Sequence, residues 1–227
     1  GSSVCGASIG AVMIGYESGK CAKRNDGSVF LGYGTGACGY MGDDAVLIGH
    51  GSGQLGVMTD VAEGSNVTAV GHNTFYAARR GRYSTMVGFN AGYYLGCNAT
   101  ACENTIVGEC AAFCMFGGNA NTAVGLEAMG AWSSGNNVCF NVVTGLKGAP
   151  YLGATLNGCN QATLQTRYNV AIGAYYAGFC SHSGQQWVEG ECNTLLGNCT
   201  CICNGTDNSI GIGNKVHVTS SNYTLLG

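Results

Sequence analysis

The chain has 227 residues, among them 40 glycines, 14 cysteines and a single proline, with nine basic and twelve acidic side chains. So few charges suit stacked backbone better than a charge-rich helical protein, and one proline excludes collagen. The net charge of -3 argues against nucleic-acid or anionic-membrane partners, and no apolar run approaches the roughly twenty residues of a transmembrane helix.

From the N-terminal side, apolar runs close on glycine at Gly15, Gly32 and Gly49, each 17 residues after the last. Between them Gly34, Gly36 and Gly39 spell G-x-G-x-x-G, with Asp60 where a dinucleotide fold places its ribose-binding acid. That reading needs a long helix after the glycines, and Gly42, Asp43 and Asp44 interrupt any such helix. The same glycine rhythm returns as Ile48-Gly49-His50-Gly51-Ser52-Gly53, so the pattern belongs to a repeat.

The repeat sharpens further along: Asn66-Val-Thr-Ala-Val-Gly71, Asn104-Thr-Ile-Val-Gly108, Asn121-Thr-Ala-Val-Gly125, Asn169-Val-Ala-Ile-Gly173 and Asn193-Thr-Leu-Leu-Gly197. Looser copies end at Gly88, Gly145 and Gly213, and Asn222-Tyr-Thr-Leu-Leu-Gly227 is the last. A second half-motif of two variable residues and then Ala follows several glycines, as in Phe89-Asn90-Ala91 and Leu126-Glu127-Ala128. Glycine-to-glycine steps of 17 and 20 dominate, with extremes of 14 and 22 outside two longer gaps of 28 and 24. Such repeats are too short for a helix pair and fit one coil with short strands and tight turns. Alternating β-branched residues face in and out, glycine serves the corner, and equivalent asparagines stack as a hydrogen-bonded ladder. The expected fold is all-β: a β-solenoid or β-roll of coils of about 14–22 residues, forming one domain over 1–227 with longer loops within 146–192. A single chain of such short coils has a thin interior, which points to an elongated homotrimer.

The phrase N-[TS]-x-[VI]-G-x-x-A resembles the repeats of phage tail fibres and of trimeric autotransporter adhesin heads, over about Val29 to Gly227. The resemblance implies an elongated trimeric β-roll, outside the cell or on a virion, that binds a host cell-surface glycan or protein. No cofactor, metal or catalytic residue is expected, and no membrane insertion.

Candidate sites remain outside the repeat core. Fourteen cysteines suggest disulfides in an oxidising place, and Cys21 and Cys38, one coil apart, are the best candidate pair. Cys199, Cys201 and Cys203 would share a strand face, where Cys192 or His182 could join them around a metal, with disulfides the preferred reading. Tyr76, Arg79, Arg80 and Arg82 form the one concentrated basic and aromatic stretch, suited to an acidic glycan. Trp132 and Trp187 are further sugar-binding candidates. Glu189 with Glu191, and Asp43 with Asp44, are the carboxylate pairs that a glycan hydrolase would need. An ice-binding solenoid would need a flat, regular threonine ladder, and the uneven spacing argues against one. The expected function is attachment by a non-enzymatic fibre. The alternative is a purely structural extracellular filament locked by disulfides.

Overall fold

The structure is a computed structural model, and it describes residues 9–23, 25–38, 42–55, 66–79, 81–96, 101–115, 117–129, 138–147, 166–173, 178–180, 190–203 and 205–227. It is a parallel β-solenoid without a helix among these residues. Twelve three-residue strands form one sheet: Val12–Ile14, Val29–Leu31, Val46–Ile48, Thr68–Val70, Thr85–Val87, Thr105–Val107, Thr122–Val124, Val142–Thr144, Val170–Ile172, Thr194–Leu196, Ile210–Ile212 and Thr224–Leu226. Every neighbouring pair is parallel and in register, Thr105 on Thr122 and Val107 on Val124, for example. The unequal steps between glycines are therefore absorbed in the return path of each turn. Even the longest, from Val142–Thr144 to Val170–Ile172, leaves the strands aligned. Two further three-stranded sheets form in the later turns, one from Val138–Cys139, Thr166–Arg167 and Gly190–Glu191, the other from Gly178–Cys180, Cys201–Cys203 and His217–Val218.

Three columns of equivalent residues hold the turns together. The first is glycine. Gly15, Gly32, Gly49, Gly71, Gly88, Gly108, Gly125, Gly145, Gly173, Gly197 and Gly213 sit at one corner, and a Cβ on any of them would strike the carbonyl of the next glycine in the column. Left-handed φ adds to the demand, +134° at Gly108 being typical.

The second column is the asparagine ladder. Asn104, Asn121, Asn141, Asn169 and Asn193 are all buried. The Oδ1 of Asn121 accepts the backbone N–H of Asn141 at 3.1 Å and its side-chain amide at 3.0 Å. Asn141 does the same for Asn169, and Asn169 for Asn193. The other amide hydrogen reaches across the coil to a main-chain carbonyl, as from Asn169 to Gly190 at 2.8 Å. Serine takes this place in other turns, where Ser84 Oγ accepts the Asn104 N–H at 3.1 Å. Asn66 and Asn222 fall one residue outside the ladder, at left-handed corners with φ of 43° and 60°. Their copies of the phrase are one residue longer, which is the reason.

The third column is apolar. The middle residue of each strand points inward, giving Phe30, Leu47, Ala69, Met86, Ile106, Ala123, Val143, Ala171 and Leu195, all buried. Ala22, Phe75, Leu95, Met115, Ile202 and Val218 close the opposite wall in the same cluster. Ala91 and Ala128, from the second half-motif, are fully buried, which explains their small size. The thin interior expected of a single chain is corrected here. Small strand residues such as Ala69 are offset by large ones from the return arm such as Phe75, and one chain closes its own core. Each fully buried Leu, Ile, Met or Phe contributes roughly 1.5–3 kcal/mol.

Candidate functional site

Among the described residues the interior is filled, which leaves the outer surface as the candidate site. The broadest feature is the outward side of the twelve-stranded sheet. The first and third residue of every strand point out, and each one is Val, Ile, Leu or Thr. No charge interrupts these two columns. Their residues are half-buried or exposed, with Ile14, Leu31, Val87, Val124, Ile172, Ile212 and Leu226 among the exposed apolar side chains. At a rung spacing of about 4.8 Å the face runs roughly 50 Å. Four successive rungs read Thr-x-Val: Thr68/Val70, Thr85/Val87, Thr105/Val107 and Thr122/Val124. The regularity doubted from the uneven spacing is therefore present, because length differences never reach the strands.

The corners beside this face carry aromatic columns. Tyr16, Tyr33, His50, His72 and Phe89 follow five successive corner glycines and stack in one column. A second column joins Tyr76, Tyr93 and Phe113, with ring centroids 4.9 and 5.1 Å apart, and Tyr94 packs edge-on against it. Partial burial and the neighbouring Tyr94 and Tyr76 push the Tyr93 phenol above its ordinary range. Phe140 and Tyr168, both exposed, stack at 5.1 Å on another corner. These columns follow from in-register stacking of aromatics that recur at glycine-relative positions. Aligning the sequence on its glycines would have revealed them.

The residues singled out from the sequence divide. Tyr76 is half-buried in its stack. Arg79 is exposed, its backbone N–H bonded to the Leu95 carbonyl at 2.7 Å. Arg82 is half-buried, and its carbonyl accepts the Glu103 N–H and the Ser84 hydroxyl. Phe75, next to this stretch, is a fully buried core residue. Arg80, Trp132, Trp187, His182, Glu189, Gly39 and Asp60 lie outside the described residues. Gly34 and Gly36 are left-handed corner residues, and a Cβ on Gly36 would meet the Phe30 ring, so their glycine identity is structural.

Cys21 and Cys38 do occupy equivalent corners, each at φ 56°, and no disulfide joins them in this structure. In-register stacking holds their Cβ bonds parallel at about one rung spacing, wider than a disulfide prefers. Cys199 sits in a left-handed corner before the strand Cys201–Cys203, so the three cysteines do not share one strand face. Cys201 is disulfide-bonded, and Cys203 Sγ lies 3.3 Å from His217 Nε2. Burial holds the Cys110 thiol above its usual range, against a hydrogen bond from Asn90 that lowers it. Among the described residues no group of three or more metal-ligating side chains is assembled. Acidic residues serve the backbone. Asp26 accepts the Ile9 N–H, Asp43 the Asp26 N–H and Asp207 the Glu191 N–H, while Glu191 pairs with Arg167 at 3.1 Å.

The chain matches no family model and no curated protein. Architecture and surface chemistry therefore carry the functional reading.

Proposed function

We propose that the protein is a rigid, non-enzymatic fibre segment that associates as a homotrimer and serves attachment to a cell-surface glycan or protein, outside the cell or on a virion. The observation that carries this reading is the uncharged outward sheet face. Roughly 50 Å long and two side chains wide, it is a continuous uncharged strip of the kind that marks an interaction surface. Covering it with copies of the same chain removes it from solvent, and identical coils bring identical rungs together. Rigidity comes from the glycine and asparagine columns, and joining three copies multiplies weak surface contacts. Light scattering on the purified chain tests this. The expected mass is three times that of the chain, and Val87→Lys with Val124→Lys, placing charge on the face, should give monomers. A monomeric wild type would refute the trimer.

A second reading has one specific observation in its favour. Four in-register Thr-x-Val rungs are the kind of threonine ladder an ice-binding solenoid needs, with the face left open to ordered water. Thermal hysteresis by a monomer would select this reading. Its absence in a trimer leaves the fibre.

A further inference from the structure

The residue after the corner glycine is aromatic in five successive turns: Tyr16, Tyr33, His50, His72 and Phe89. Their ring centroids are 5.3, 4.9, 4.8 and 5.1 Å apart, with planes within 4° to 17° of parallel. All five are exposed, Tyr16 to 67% and Phe89 to 47%. The fold does not ask for them. Glu109, Leu126, Asn198 and Asn214 stand at the same position in other turns, where the glycine column and strand register continue unchanged.

Stacking determines what this column offers. Ring faces are spent on one another, so solvent meets ring edges, the positive rim of the aromatic quadrupole. At that rim stand the phenol hydroxyls of Tyr16 and Tyr33 and the ring N–H groups of His50 and His72. The next residue along each turn is Glu17, Gly34, Gly51, Asn73 or Asn90. Glu17, the one carboxylate in that row, is bonded to Lys20. Glu109 occupies the following rung and ends the column with a negative charge. The result is a straight strip with positive ring edges at a step of about 5 Å and a donor at four of its five rungs, close to the advance of one sugar unit in an extended, equatorially linked chain.

We infer that this column is a track for an extended acidic polysaccharide lying along the solenoid axis, one sugar per rung. Carboxylate and hydroxyl oxygens of the sugar accept from Tyr16, Tyr33, His50 and His72 and rest against the ring edges. The track stands at the corner beyond the outward sheet face, at the rim of the proposed contact between copies. The inference rests on the attachment reading and gives that reading a ligand class and a site.

Calorimetric titration of the full chain with hexameric β-linked mannuronate tests it, with cellohexaose as a neutral chain of matching linkage. Mannuronate should bind at least tenfold more tightly than cellohexaose. The triple variant Tyr33→Phe/His50→Phe/His72→Phe keeps a ring on every rung and removes three donors. It should lose tenfold or more in affinity with an unchanged melting temperature. Unchanged affinity in the variant, equal binding of the two hexamers, or no binding of mannuronate would each overturn the track. Wild-type protein that still adheres to cells in those cases keeps the attachment reading alive. Wild-type protein that adheres to no cell or glycan surface overturns both.

Discussion

Replacing Asn141 by alanine removes the middle rung of the asparagine ladder. In the native chain its Oδ1 accepts the backbone N–H of Asn169 at 3.1 Å and the Asn169 amide at 3.0 Å, and its own amide donates to Asn121 at 3.0 Å. Asn141 and Asn169 are both buried, so water does not replace what is lost. The orphaned Asn169 N–H costs about 1–3 kcal/mol, and the two amide contacts about 1 kcal/mol each net. The expected loss is therefore roughly 3–5 kcal/mol, read by urea unfolding followed by circular dichroism. Asn141→Ser is the informative partner. Ser84 already accepts the N–H of the next rung at 3.1 Å, so a serine oxygen restores the main-chain bond. The serine variant should recover about half of the loss. A destabilisation below about 0.5 kcal/mol in Asn141→Ala, or no difference between the two variants, would refute the ladder as a main source of stability.

Gly108→Ala should be far more damaging than Gly205→Ala. The first Cβ meets the Gly125 carbonyl at φ +134°, while Gly205 has open space at φ +72°; thermal melts should show a loss beyond 3 kcal/mol against about 1 kcal/mol. Asn25 is fully buried, and neither its amide nitrogen nor its carbonyl oxygen meets a hydrogen-bond partner among the described residues, so Asn25→Leu, which keeps the branching of the side chain, should raise stability by about 1 kcal/mol in the same assay. Cys110 and Tyr93 are both shifted upward in the folded state. Their contribution is complete below the ordinary thiol and phenol ranges and is lost as pH rises through the raised folded values. The denaturation midpoint should therefore drop as pH rises above about 9, and a flat profile there would contradict the burial assigned to these groups. Iodoacetamide at neutral pH should label the exposed Cys21 and Cys38 well before the buried Cys114.

The strand, the corner and their repetition were legible because each is a local demand. Thr-x-Val alternates, glycine alone fits beneath a neighbouring carbonyl, and asparagine alone offers an acceptor and two donors on so short a stem. The regular register of the strands was misjudged because counting residues between glycines mixes strand with return path, and only the strand has a fixed length. Phe75 adjoins the basic and aromatic stretch that begins at Tyr76, yet it points inward from a left-handed corner at φ 56°, a direction that spacing does not reveal. The Cys21–Cys38 bridge failed for a related reason. Equivalent positions bring side chains to the same height on successive rungs, but they also hold the two bonds parallel. The aromatic column at Tyr16 to Phe89 was available to sequence reading, since all five residues follow a corner glycine. It escaped because two of its members are histidines and one is a phenylalanine, and it is geometry that makes them alike.

The glycine corners have a consequence for how such a chain can change. Each returns the backbone to the same place, so a segment lengthened or shortened in one turn leaves the next turn where it was. The steps of 28 and 24 residues beside steps of 16 and 14 show the range already accommodated. Errors of length do not accumulate along the rod. A lineage can therefore rewrite the outward-facing return arms turn by turn, as interchangeable cassettes on a fixed rail, and alter what the surface recognises without refolding the molecule.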